Sequence, residues 1–172
     1  MIEYNYSLVI RVNEIELLIW FSLSKRAVGG SMKRKFLIGS HGKMASGLKS
    51  SIDILAGRGQ ELQIIDAYID DSDYTEQVLT FIEDVAADEQ ALIFTDLLGG
   101  SVNQKIVTAL MNSGKENIFL ISNSNLAALL SLMFLKPEEE LTKDEIVATI
   151  NDSQVQLVDL APATAAEDDF FN

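Results

Sequence analysis

His41 is the only histidine in the 172-residue chain, so any imidazole chemistry runs through it. It stands in Gly39-Ser40-His41-Gly42, directly after the short apolar run Phe36–Ile38. A second polar cluster, Asp96-Leu97-Leu98-Gly99-Gly100-Ser101, follows the apolar run Ala91–Thr95. If the two runs are neighbouring strands, His41 and Asp96 face each other across a crevice. A carboxylate there accepts a hydrogen bond from one imidazole nitrogen, fixes the tautomer and leaves the other nitrogen as a nucleophile. His41 also lies at the first turn into a helix, where free backbone N–H groups favour an anion. Gly42, Gly99 and Gly100 let the backbone approach a phosphate closely, and Ser40 and Ser101 bring hydroxyl donors. The set reads as a phosphoryl-accepting histidine site, with Asp96 orienting His41. Each residue also has a plainer reading, as a loop histidine, a turn at Asp96 or a helix cap at Ser101.

The census removes several competing chemistries. Without cysteine there is no disulfide framework and no thiol nucleophile. A zinc site would need carboxylates for every ligand but one, and no metal or cofactor is expected. A P-loop needs G-x-x-x-x-G-K-[ST], and Gly42-Lys43-Met44 lacks both the hydroxyl and the first glycine. No G-x-G-x-x-G follows the first strand. An aspartate-phosphorylated receiver would want acids after that strand, and a histidine phosphatase would want a second histidine. With 26 acidic and 13 basic residues the net charge is −13, which argues against nucleic acid as a partner. The same charge suits steering of basic protein partners.

The elements that position these residues alternate strand and helix. Met44, Leu48, Ile52 and Leu55 recur at helical spacing over 43–56, and Gly57 ends the helix. Leu62–Ala67 is read as a second strand. Asp73 and Glu76 offer a capping box for a helix over 74–87 with Val78, Phe81, Ile82 and Val85 inward. A helix over 102–113 turns Val102, Ile106, Val107 and Leu110 inward and stops at Gly114. Ile118–Ile121 is a fourth strand; Asn125 caps an apolar helix, Leu126–Leu135, before Pro137. Thr142 and Glu145 form another capping box for a helix near 143–151, and Val155–Leu160 is a last strand. Strands apolar throughout and separated by helices predict a doubly wound α/β domain with a mostly parallel sheet covered on both faces. Ligands in such a sheet bind outside the carboxyl ends of the strands.

One domain is expected over 32–160, followed by an acidic tail over 161–172. Residues 1–31 hold three bases and three acids, so the whole −13 falls on 32–172. Gly29-Gly30 before Met32 is what a purine-rich ribosome-binding site gives when read in frame. Met32 is therefore the expected natural start, with a genuine N-terminal arm as the alternative. The uncharged run Leu17–Ser24 is far shorter than the roughly 20 residues of a spanning helix.

Gly39-Ser-His-Gly42 after the first strand, with Asp96-Leu-Leu-Gly-Gly-Ser101 after the third, resembles the IIA component of the mannose-type sugar phosphotransferase system. The resemblance spans about residues 35–160. It implies a cytoplasmic domain that takes a phosphoryl group from the histidine-containing phosphocarrier protein. The group passes on to a IIB component, which serves sugar uptake through membrane IIC and IID subunits. It further implies phosphate on Nε2 of His41, Asp96 bonded to the other nitrogen, Ser101 on the phosphoryl group, and strands 1 and 3 side by side. Family members are homodimers that exchange a final antiparallel strand, for which Val155–Leu160 is the candidate. Many members follow Gly-Gly-Ser with proline, where this chain has Val102, which leaves the sugar open. A dihydroxyacetone-kinase phosphotransfer domain shares the fold and a Ser-His loop, and is the nearest alternative. A regulatory phospho-acceptor on the same fold is another.

Overall fold

The computed structural model describes residues 32–158. Four strands, β1 (Lys33–His41), β2 (Leu62–Ala67), β3 (Glu89–Thr95) and β4 (Ile118–Ile121), form one parallel sheet in the order β2-β1-β3-β4. From β1 the chain first adds β2 on one side, then crosses to add β3 on the other. The order therefore reverses between β1 and β3, and a crevice opens at their carboxyl ends. His41 is the last residue of β1, and Asp96 follows the last residue of β3.

Parallel strands buried on both faces are apolar on both faces, and these are. Leu37, Ile65 and Ile93 pack against α2 (Thr75–Asp84) and α3 (Ser101–Ser113) through Val78, Phe81, Ile82, Val102 and Ile106. Phe36, Ile38, Leu92 and Phe94 pack on the opposite face against α1 (Met44–Ala56), α4 (Leu126–Phe134) and α5 (Lys143–Asp152). Fully buried side chains of this kind stabilise by roughly 1.5–3 kcal/mol each before entropy is charged against them. The period of two also divides the end of β1. Leu37 and Gly39 face α3, as Gly39 shows by lying against Val102 and Ile106, so His41 points the same way and Ser40 points toward α1.

Long basic side chains tie distant segments to the sheet. The Arg34 guanidinium donates to the carbonyls of Leu132 (3.3 Å), Leu135 (2.9 Å), Lys136 (3.1 Å) and Glu139 (2.6 Å), gathering the chain after α4. Burial, followed by the charge of Arg58, holds its pKa below the ordinary arginine value, although the carbonyls keep it well bonded. Lys115 reaches the carbonyls of Ile82, Glu83 and Val85, and Lys35 reaches that of Asp84, closing the end of α2.

Several expectations need correcting. Helix α2 ends at Asp84 rather than 87, because Val85 turns extended while the two lysines take up the free carbonyls. The Asp73–Glu76 capping box does not form: Asp73 accepts from the backbone and hydroxyl of Thr75 instead. The Thr142–Glu145 box and the Asn125 cap are both present. Met44 and Leu55 on α1 and Val107 on α3 are exposed, since no neighbouring element covers those flanks. Residues 155–158 join no strand, and Val155, Leu157 and Val158 stand in solvent. The rest of the expected last strand, residues 159 and 160, and the segments 1–31 and 161–172 lie outside the described residues.

Candidate functional site

His41 is held at both ring nitrogens. Its Nδ1 lies 2.9 Å from Asp96 Oδ2, and its Nε2 lies 2.9 Å from Ser101 Oγ. The backbone N–H of His41 donates to the same Asp96 oxygen at 2.7 Å, so one carboxylate fixes both the ring and the strand end that carries it. Burial pushes the Asp96 carboxyl up, but the backbone N–H and imidazole of His41 outweigh it and hold the pKa below the usual aspartate value. An ionised carboxylate only accepts, so Nδ1 carries the proton. In neutral imidazole the Nε2 lone pair is then free to accept the Ser101 hydroxyl, and that nitrogen faces the crevice mouth. The His41 side chain is 40% exposed against 14% for Asp96, so the imidazole is open to solvent while its carboxylate partner is sheltered.

The loop between β3 and α3 shapes the other wall. Gly99 has φ 73°, a conformation that costs an ordinary side chain about 1–2 kcal/mol. A Cβ on Gly100 would sit 3.2 Å from His41 Cε1 and 3.2 Å from the Leu97 carbonyl oxygen, so glycine lets this backbone lie against the imidazole without displacing either neighbour by a few tenths of an ångström. Gly100 is also the N-cap of α3, and no side chain caps that helix among the described residues. The uncapped donors and the dipole of a 13-residue helix thus face the crevice beside Ser101.

The arrangement brings together His41, Asp96, Gly99, Gly100 and Ser101. Gly42, with φ 57°, makes the turn out of β1 and bonds through its N–H to the Ala67 carbonyl at 2.8 Å. Ser40 is placed elsewhere. It is buried, and its hydroxyl accepts the Ala45 N–H at 2.7 Å, while Asp66 accepts that of Ser46 at 3.0 Å. The N–H groups of Ala45 and Ser46 in the first turn of α1 are therefore occupied by side chains, whereas no side chain caps the start of α3.

Sequence reasoning missed the residues that support this loop. Asn103 is buried on the inward side of α3; its Oδ1 accepts the Gly99 N–H at 3.1 Å and its amide donates to Thr95 Oγ1 (3.1 Å) and Ser122 Oγ (2.6 Å). Asn123 Oδ1 accepts the Leu98 N–H at 3.0 Å, and Gln104 donates to the Gly99 carbonyl at 2.7 Å. The available signal was an asparagine on the apolar stripe between Val102 and Ile106. Tyr68 was also missed: its ring stacks on His41 with centroids 5.4 Å apart and planes 12° from parallel. No group of three or more His, Asp or Glu residues suited to a metal occurs among the described residues.

A family model described as the phosphotransferase system fructose IIA component matches residues 35–151. The chain belongs to this family. IIA components of this mannose-type family serve phosphoryl transfer in sugar uptake. Among solved structures, a Klebsiella pneumoniae protein described as a candidate phosphoenolpyruvate-dependent sugar phosphotransferase system permease is similar at 27% identity and TM-score 0.62, covering 72% of this chain and 88% of that one. The mannose/sorbose-specific IIA subunit of Enterococcus faecalis shares the fold at 21% identity and TM-score 0.63, covering 77% and 100%. The IIA protein associated with the fucose utilization operon of Streptococcus pneumoniae does so at 20% identity and TM-score 0.59, covering 74% and 95%. No curated protein sequence matches the chain significantly. No helix among the described residues is long and apolar enough to cross a membrane.

Proposed function

We propose that His41 is the phosphoryl acceptor of this IIA component, taking the group from the histidine-containing phosphocarrier protein and passing it to a IIB component. The observation that carries the reading is the two-sided hold on the imidazole, with Nδ1 on ionised Asp96 and Nε2 free toward Ser101 and the α3 terminus. In the forward step the Nε2 lone pair forms a bond to phosphorus as the bond to the donor imidazole breaks. The leaving nitrogen keeps that electron pair, and the Nδ1 proton stays on His41, where Asp96 stabilises the growing positive charge of the ring. Ser101 and the α3 N–H groups meet the three phosphoryl oxygens. Positioning and electrostatic stabilisation do the catalytic work in such a transfer.

The surroundings suit a protein partner. Met44, Tyr68, Ile69, Leu97 and Leu98, all exposed, surround the carboxyl end of the sheet with apolar surface. The phosphotransfer domain on this reading runs over 32–160. Its exposed Val155, Leu157 and Val158 supply an antiparallel strand to a second copy in a cytoplasmic homodimer. Incubation with phosphoenolpyruvate, enzyme I and the phosphocarrier protein tests the reading. Acid-labile phosphate should form on the wild-type chain, be absent from His41→Ala, and discharge when a IIB protein is added. A phosphorylated chain that no IIB protein discharges would overturn the carrier role.

A further inference from the structure

Two hydrogen bonds fix two points on the His41 ring, and rocking about the line through them is left to some third contact. Tyr68 makes that contact. It directly follows β2, whose last residue, Ala67, pairs with His41 across the sheet. Its backbone sits at φ 64°, a conformation that a bulky residue adopts only when its surroundings enforce it. Here the turn throws the ring back over the crevice, flat against the imidazole.

The tyrosine is itself braced. Tyr74, buried, meets it edge-on with centroids 5.9 Å apart at 77°, and the two hydroxyls lie 3.5 Å apart. Lys105 Nζ stands 4.2 Å above the centre of the Tyr74 ring and bonds to Asp73 Oδ1 (3.0 Å) and Thr75 Oγ1 (2.9 Å). Lys105 lies one helical turn after Ser101 on α3. The chain of contacts from imidazole to Tyr68, Tyr74 and Lys105 thus returns to the helix that offers Ser101 to Nε2. The Ser101 hydroxyl beside the phenol, then that of Tyr74, also hold the Tyr68 pKa below its ordinary value.

We propose that Tyr68 is a positioning residue, a braced aromatic wall that sets the plane of the His41 ring so that Nε2 points at the incoming phosphorus. The kinetic part rests on the reading of His41 as acceptor; the orientation of the unmodified ring does not. Two arms of one experiment keep them apart. In the first, NMR of the full chain follows the ring protons and nitrogens of His41 in wild type, Tyr68→Phe and Tyr68→Ala. The stacked ring shifts the imidazole protons upfield; Tyr68→Phe keeps that shift, and Tyr68→Ala loses it and averages the ring orientations. In the second, single-turnover phosphorylation is measured at saturating phosphocarrier protein, which separates chemistry from docking at this exposed residue. Tyr68→Ala slows the step by about ten- to a hundredfold, the scale of a misplaced reacting group, while Tyr68→Phe restores it. Unchanged ring shifts in Tyr68→Ala, or an unchanged saturating rate, would overturn the proposal. So would a Tyr68→Phe chain as slow as the alanine variant. If the wild-type chain takes no phosphate at all, the acceptor reading fails and the NMR arm alone decides the positioning role.

Discussion

Replacing Asp96 by asparagine removes a charge and little else. In the native site Oδ2 accepts two hydrogen bonds from His41, at 2.7 Å from the backbone and 2.9 Å from Nδ1. The amide oxygen of asparagine is nearly isosteric and keeps neutral versions of these bonds. Hydrogen bonds to a charged group contribute roughly 1.5–3 kcal/mol against about 1 kcal/mol for neutral ones. The difference is felt most when Nε2 bonds to phosphorus and the ring becomes positive. A loss of roughly 0.5–2 kcal/mol in that state slows phosphorylation by about two- to thirtyfold, at tenfold per 1.4 kcal/mol. Rapid-quench single turnovers at saturating phosphocarrier protein measure it. The pH dependence carries a second signature. Because folding lowers the Asp96 pKa, its contribution to stability is fully present above the unfolded value, about 3.9, and is lost as pH falls through the folded one. Thermal melts should therefore separate wild type from Asp96→Asn at pH 6 and bring them together in strong acid. A variant that phosphorylates at the wild-type rate would refute the assigned role of Asp96.

Two further outcomes follow from the same contacts. Ser101→Ala deprives Nε2 and the phosphoryl oxygens of a preorganised donor and should slow the transfer by roughly a hundredfold with the melting temperature unchanged. Arg34→Ala strands four carbonyls and should lower stability in urea by about 2 kcal/mol without altering the phosphorylation of His41. A stable Arg34→Ala chain would show that the segment after α4 is held by its other contacts, among them the paired hydrogen bonds between Gln90 and the Leu141 backbone.

What was legible in the sequence depended on local pattern. Apolar runs that hide both faces announced a parallel sheet, and polar residues at their ends announced His41, Asp96 and Ser101 as neighbours. Pattern says less about direction. Ser40 and His41 are adjacent, yet the pleat sends one under α1 and the other into the crevice. Helical spacing likewise identified the apolar stripe of α1, but only the packed neighbours decide that Ile52 is covered and Leu55 is not. Tyr68, Arg34 and Lys115 act through partners far along the chain, and Asn103 joins its own loop to Ser122 beyond β4. Arg34, for example, meets carbonyls 98 to 105 residues away, and no local rule ties them together.

The most direct test is to locate the phosphate. The chain, labelled with 15N-histidine and phosphorylated through phosphoenolpyruvate, enzyme I and the phosphocarrier protein, should show phosphorus coupled to Nε2 of its single histidine, with the proton retained on Nδ1. Phosphate on Nδ1, on another residue, or nowhere would contradict the account.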